Sequence, residues 1–425
     1  MLELACFEVD VTPPDGTMDF STGKARLPRR DPLFARGFHW RSEDGEFLLV
    51  TLDYCLLSHS CYEELRARLA AAAGLSSKQV AIHCVHLHDA PVVVREVVTV
   101  AGEDPEVYYG FWPDIVERLE RAVREAPWRE VVSLGSNESR VYGYASNRRV
   151  VYQGEVHTRY SRCSDPELCR QPVGVIDPAL RSIGFYDKAG QLLASLHFYA
   201  THPQTANTGE RFSGDAPGRA LELLKAAYPG GIHAFLTGCG GDVTAGKYTD
   251  KQDLEFNIRH FGEVLAGAMR RNLAAPEMRP AERLLLTQAE FEFPARDFDE
   301  ADLERRAVGK SIREAWVELA MLAALRFRRE HAPEMYRLTL LNFDGLRILL
   351  AGGELFVAYQ LYAQSLIPDE FLAMAANCRD DFYYLPTVEA LCNGGGYEVN
   401  YFCRVTPRFE TEFKKAVSGL LGSGE

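Results

Sequence analysis

Residues 81–92 read AIHCVHLHDAPV. The chain has eleven histidines, and three of them fall here, at 83, 86 and 88. The apolar residues around them predict a buried strand over 79–88 that ends at DAP. Alternate residues of a strand share a face, so His86 and His88 are expected to point one way and His83 the other. His86 and His88 also stand at the C-terminal end of the segment, where open α/β sheets bind their ligands. A His-x-His pair there can present two imidazoles to a metal or a substrate.

The same arrangement recurs along the chain. In SLHFYATHPQT, His202 ends an apolar strand and enters a loop, while His197 lies mid-strand and is expected to be structural. In RILLAGGELFV, Glu354 follows an apolar strand and two glycines. In HAFLTGCGGDVTAG, a strand runs into a glycine-rich turn that carries Asp242. Four predicted strand ends each deliver a polar group to a loop. If the strands are neighbours, those groups converge.

Between these segments, helical and strand-like stretches interleave. CYEELRARLAAAAGL (61–75), DIVERLERAVREA (114–126) and APGRALELLKAAYPG (216–230) have helical spacing, and FLLVTLDY (47–54) and LLLTQAEFEF (284–293) read as strands. RLTLLNFDGLRILLAGG predicts a hairpin around Asp344-Gly345. The expected fold is α/β: a mixed central sheet flanked by helices, with the ligand site at the C-terminal ends of strands. No internal repeat and no linker is visible in the sequence. One domain over residues 1–425 is therefore expected, allowing a small helical excursion over 299–333.

The net charge is −13, and no run of Lys or Arg stands out. Neither a nucleic acid nor an anionic membrane surface is an expected partner. No apolar run reaches membrane-spanning length. The first residues, MLELACFEVDVTPP, lack the basic and apolar regions of a secretory signal. The ten cysteines are scattered, with no C-x-x-C pair. These features predict reduced thiols in a cytoplasmic protein, with Cys163 and Cys169 close enough in sequence to cross-link on oxidation.

Nine blocks, taken in order, resemble the catalytic domain of the neutral (alkaline, non-lysosomal) ceramidases. They are FEVDVTPP with MDFSTGKA, LFARGF, VHLHDAP, SNRR, YATHPQT, SGDAPGRA, GCGGDV, GGELFV, and YYLPT with GGYE. The resemblance implies a zinc site of His86, His202, Glu354 and Tyr384, with Tyr383 the neighbouring candidate for the last. It also implies that His88 contacts the reacting carbonyl, that Arg148 lies at a substrate oxygen and that Tyr397 supports the transition state. A His, His, carboxylate set is independently a common catalytic zinc triad with a position left for water. Asp242 is expected to orient a ligand or that water.

Two departures from the family pattern shape the functional expectation. The family's nucleophilic serine precedes GDV, and here that position is Gly240, with Cys239 beside it as a structural thiol. The family's C-terminal β-sandwich is not expected after GLLGSGE. The leading expectation is a cytoplasmic zinc-dependent hydrolase that cleaves an amide bond of a small soluble molecule by direct attack of zinc-bound hydroxide. The insertion over 151–172 is a candidate lid, and its Arg159 and Arg162 are candidate partners for a carboxylate or phosphate. Two other classes compete with this reading: a metal-dependent isomerase or lyase acting on a sugar-like substrate, and a non-catalytic metal- or ligand-binding protein.

Overall fold

The structure is a computed structural model that describes residues 1–422 apart from 21 and 332. Ser21 of the N-terminal block, residue 332 of the 299–333 segment and residues 423–425 lie outside the described residues.

The fold is α/β and mixed, with three principal sheets instead of one. In the first, the strands Leu2–Asp10, Phe34–Arg41 and Glu46–Leu52 are antiparallel neighbours. The helix His59–Ala73 then crosses over, and Val80–Cys84 joins parallel to Glu46–Leu52. The second sheet repeats this with Ser133–Arg140, Ala179–Tyr186 and Leu192–Tyr199, the helix Asp215–Ala227, and the parallel strand Ile232–Thr237. The third does so with Leu285–Glu292, Met335–Phe343 and Leu346–Leu350, the helix Val357–Ser365, and the parallel strand Leu372–Ala375. Each fourth strand is followed later by another helix: Trp112–Glu125, Leu254–Ala274 or Arg408–Gly422. One topology thus occurs three times in a chain whose sequence shows no repeat.

Strand periodicity explains how the units assemble. In Glu46–Leu52, Phe47 and Leu49 face the centre of the molecule, while Leu48, Val50 and Leu52 face the helices. Leu341 and Phe343 likewise face the centre, and Leu338 and Leu340 face the third unit's helices. The helices answer with one apolar face, as in Trp112, Ile115, Val116, Leu119 and Val123. At the centre an aromatic triangle joins the units. Trp40, Phe185 and Phe343 come from the second strand of each, with ring centroids 5.4, 5.2 and 5.5 Å apart.

The fourth strands close a ring of hydrogen bonds at their C-terminal ends. The Cys84 amide donates to the Asn377 carbonyl at 3.1 Å, and the Ala376 amide donates to the Thr237 carbonyl at 2.9 Å. The Thr237 amide donates to His83 Nε2 at 3.1 Å. This ring brings the exits of all three units together.

The placement of the histidines changes in detail. The strand carrying the histidines ends at Cys84, so His86 and His88 lie beyond it. His86 has φ +68°, which breaks strand alternation and costs about 1–2 kcal/mol for a non-glycine residue. The segment 299–333 forms two helices, Glu300–Ala307 and Trp316–Glu330, and Trp316 packs edge-on to Phe20 at 4.8 Å. The hairpin at Asp344-Gly345 forms as predicted, with φ of +50° and +93° at the two turn residues.

Candidate metal centre

His86 follows the fourth strand of the first unit, His202 the third strand of the second and Glu354 the third strand of the third. One ligand-type residue therefore comes from each unit. His202 Nε2 lies 2.9 Å and His86 Nε2 3.5 Å from Glu354 Oε2. The three side chains offer ligand atoms that all lie within 4.8 Å of one another, and all three are buried. The short strand Glu354–Leu355 pairs with Tyr384–Leu385, which sets Tyr384 directly beside Glu354. The Tyr384 ring stacks on His202 at 6.3 Å. Tyr383 instead packs against Phe402, with ring centroids 5.6 Å apart.

The surrounding backbone orients these groups. His202 Nδ1 donates to the Gly240 carbonyl at 2.6 Å, which turns Nε2 toward Glu354. Burial, helped by the nearby His202 and Arg148 and opposed by Glu354, lowers the His86 pKa to about 4. Burial alone would raise the Glu354 carboxyl, but His86, His202 and Arg148 outweigh it and hold the group at about 2. Two imidazoles and one carboxylate on a common centre are the donor set that a zinc-type ion takes, and the residues present fit such an ion.

The other expected site residues fall around this centre. His88 lies 5.3 Å from His86 and 5.9 Å from His202, ring to ring. Tyr397 meets Tyr384 edge-on at 5.5 Å. Arg148 lies over both tyrosines, 5.1 and 4.9 Å from their ring centroids. It is 1% exposed, paired with the fully buried Glu398 at 2.8 Å, and it also donates to the Gly241 carbonyl. The cation is thus tied to protein and braces the two tyrosines.

Asp242 has a different setting from the expected one. One carboxylate oxygen accepts from Asn147 and the other from the Val357 amide, both at 2.8 Å. It joins the glycine-rich turn to the base of the insertion and to the start of the helix Val357–Ser365, and both its oxygens are committed to protein. Arg159 is also structural. It is fully buried and donates to the carbonyls of Asn147, Leu168 and Pro172 at 2.6, 3.1 and 3.2 Å. Arg162 is exposed on the same insertion.

The insertion reaches the centre through residues that sequence reasoning passed over. Tyr160 stacks on Tyr397 with centroids 6.0 Å apart and ring planes 1° from parallel. Ser161 donates to Gln204 Oε1 at 2.8 Å, and Gln204 Nε2 stands 3.4 Å from His88 Nε2. Glu398 adjoins Tyr397 in GGYE, and Gln204 is two residues past His202 in THPQ. Only the fold shows what they touch.

The turn of Gly240 is built without room for a side chain. A Cβ on Gly240 would stand 2.9 Å from the Thr201 carbonyl carbon. Cys239 points the opposite way, into the third unit's core, with its sulfur 3.5 Å from that of Met374. Burial pushes its thiol well above the usual range.

No family model and no curated protein matches this sequence. Solved structures do match the fold. The crystal structure of neutral ceramidase from Pseudomonas aeruginosa superposes with a TM-score of 0.73 at 14% identity, over 99% of this chain and 74% of that one. A ceramidase complexed with C2 gives 0.72 at 13% identity, over 99% of this chain and 75% of that one. The fold is that of neutral ceramidase. The likeness spans the three units that carry His86, His202 and Glu354.

Proposed function

We propose that this chain is a zinc-dependent hydrolase that cleaves an amide (C–N) bond in a small, soluble, polar substrate. One observation carries the reading: His86, His202 and Glu354 meet at one buried point within a neutral-ceramidase fold. In this reading those three residues and Tyr384 hold the ion. A bound zinc-type ion supplies Lewis acidity at a carbonyl and brings a water toward ionisation near neutral pH.

The chain's own residues shape the rest. The glycine-rich turn offers no nucleophile: Gly240 has no side chain, and the Cys239 thiol is buried away from the centre. The acyl group therefore passes to water without a covalent enzyme intermediate. Gln204 Nε2 can only donate, so His88 Nε2 accepts and the ring's proton sits on Nδ1. Burial keeps that imidazole neutral. His88 thus presents an N–H to the substrate carbonyl. Burial likewise keeps the Tyr397 phenol protonated, as a second donor beside the Arg148 charge.

Tyr160 and Tyr397 form a stacked aromatic wall beside these donors. The wall suits a compact substrate with a flat or polar face. Among the described residues, no helix is long and apolar enough to cross a membrane. The scattered cysteines of the sequence, with no C-x-x-C pair, support a cytoplasmic setting.

The test uses purified full-length protein, elemental analysis and a panel of N-acylated amino acids and amino sugars, with a long-chain ceramide in detergent alongside. The expected result is about one zinc per chain, cleavage of a soluble amide and no appreciable ceramide turnover. Full activity without metal would overturn the metal assignment. Robust ceramide hydrolysis would overturn the substrate class.

A further inference from the structure

Cys55 occupies a place in the first unit that the other two units give to ligand-type residues. The third strands end at Leu52, Tyr199 and Leu350. Cys55 and His202 are each the third residue beyond that end, and Glu354 is the fourth. Cys55 is 5% exposed. Its sulfur, a ring nitrogen of His86 and a ring nitrogen of His88 all lie within 4.8 Å of one another. This set shares His86 with the set His86, His202 and Glu354.

We infer that Cys55, His86 and His88 form a second metal position, selective for thiophilic ions such as Cd2+, that inhibits the enzyme. The inference rests on the proposed function for the roles of His86 and His88. Thiolate and imidazole donors favour soft ions, whereas the imidazole and carboxylate set favours zinc without demanding sulfur. Binding replaces the S–H bond of Cys55 with a sulfur–metal bond, and the proton leaves to solvent with no change of oxidation state. An ion held there competes for His86 and takes His88 from the substrate carbonyl. The first unit can build this position because both of its exits carry donors, Cys55 from one and His86 with His88 from the other.

The test titrates metal-free full-length protein with Cd2+ and follows the thiolate-to-metal charge-transfer absorption in the ultraviolet. Wild type is expected to develop the band to saturation at about one ion per chain. Cys55→Ser should lose it, and so should Cys55→Ala, which serves if the serine variant folds poorly. Glu354→Gln and His202→Ala should keep it, because neither residue belongs to the second set. Absence of the band in wild type overturns the inference, and so does an undiminished band in both Cys55 variants. Zinc analysis separates the two readings. Retention of zinc by Glu354→Gln and His202→Ala removes the proposed hydrolytic centre. Loss of zinc in those variants with the Cys55 results above leaves both in place.

Discussion

Histidines in the middle of strands and histidines just beyond them meet opposite fates in this molecule. His197 lies inside Leu192–Tyr199, with Ser182 at 2.8 Å from Nδ1 and Ser195 at 2.8 Å from Nε2. Ser195 also reaches His233 Nδ1 at 2.7 Å. Both ring nitrogens of His197 are used by its own sheet, and nothing is left for a ligand. His202, five residues later, gives Nδ1 to a backbone carbonyl and turns Nε2 toward Glu354. The residue type is the same. What differs is whether neighbouring strands satisfy the ring or the end of the sheet leaves one nitrogen facing a space shared by three units.

The comparison predicts separable losses. Replacing His86 or His202 with Ala should remove nearly all bound zinc and lower activity by about a thousandfold or more, equivalent to about 4 kcal/mol. The fold should survive, as circular dichroism and thermal unfolding will show. Full zinc occupancy in both variants would break the distinction between the two classes.

His197→Ala should do the reverse. It leaves serine hydroxyls without a partner and opens a cavity in the second sheet. A loss of about 2–4 kcal/mol of stability is expected, read from denaturant unfolding, with zinc stoichiometry unchanged. Metal loss in this variant without loss of stability would contradict the structural assignment.

Gly240→Ser restores the residue type found in the family's pattern, and here it should fail to install a nucleophile. Its Cβ meets the Thr201 backbone at 2.9 Å, so the turn that orients His202 must shift. Destabilisation of about 1–3 kcal/mol is expected, with weaker zinc retention and no burst of product. A burst phase with trapped acyl-enzyme would show that the turn adapts.

The strand-bound histidines also predict a pH dependence. Burial, against the hydrogen bond from Thr237, lowers the His83 pKa from 6.5 to about 3. The unfolded chain therefore binds more protons than the folded one between those values. The stabilising effect of a neutral His83 is complete above about pH 6.5 and is lost as pH falls toward 3, by about 1.4 kcal/mol per pH unit within the window. His83→Gln keeps an acceptor for Thr237 and should flatten that part of the slope in urea titrations at stepped pH. The smallest effect belongs to Cys239→Ala, which should change turnover by less than about twofold, since a thiol buried in the core is inert. A loss of several orders of magnitude with zinc retained would make that cysteine the nucleophile.

The sequence by itself determined the local elements and the list of suspects. Periodicity marked the strands and helices, glycine marked the turns, and polar residues at or near the ends of apolar runs marked His86, His202, Glu354 and Asp242. The order of nine short blocks pointed to the fold that the superposition bears out. Tertiary structure alone decided where the suspects lie and what they touch. It separated Asp242, whose oxygens are spent on Asn147 and Val357, from Glu354, whose oxygen faces two imidazoles. It gave Arg148 the buried partner Glu398 and set Arg159 to binding carbonyls of its own loop at Leu168 and Pro172. It also revealed a topology used three times, which no residue pattern discloses. The physical reason is range. Propensity and periodicity act over a few residues and register in composition. Convergence joins positions 86, 202 and 354 through packing around a common core, and many different side chains fill that core equally well.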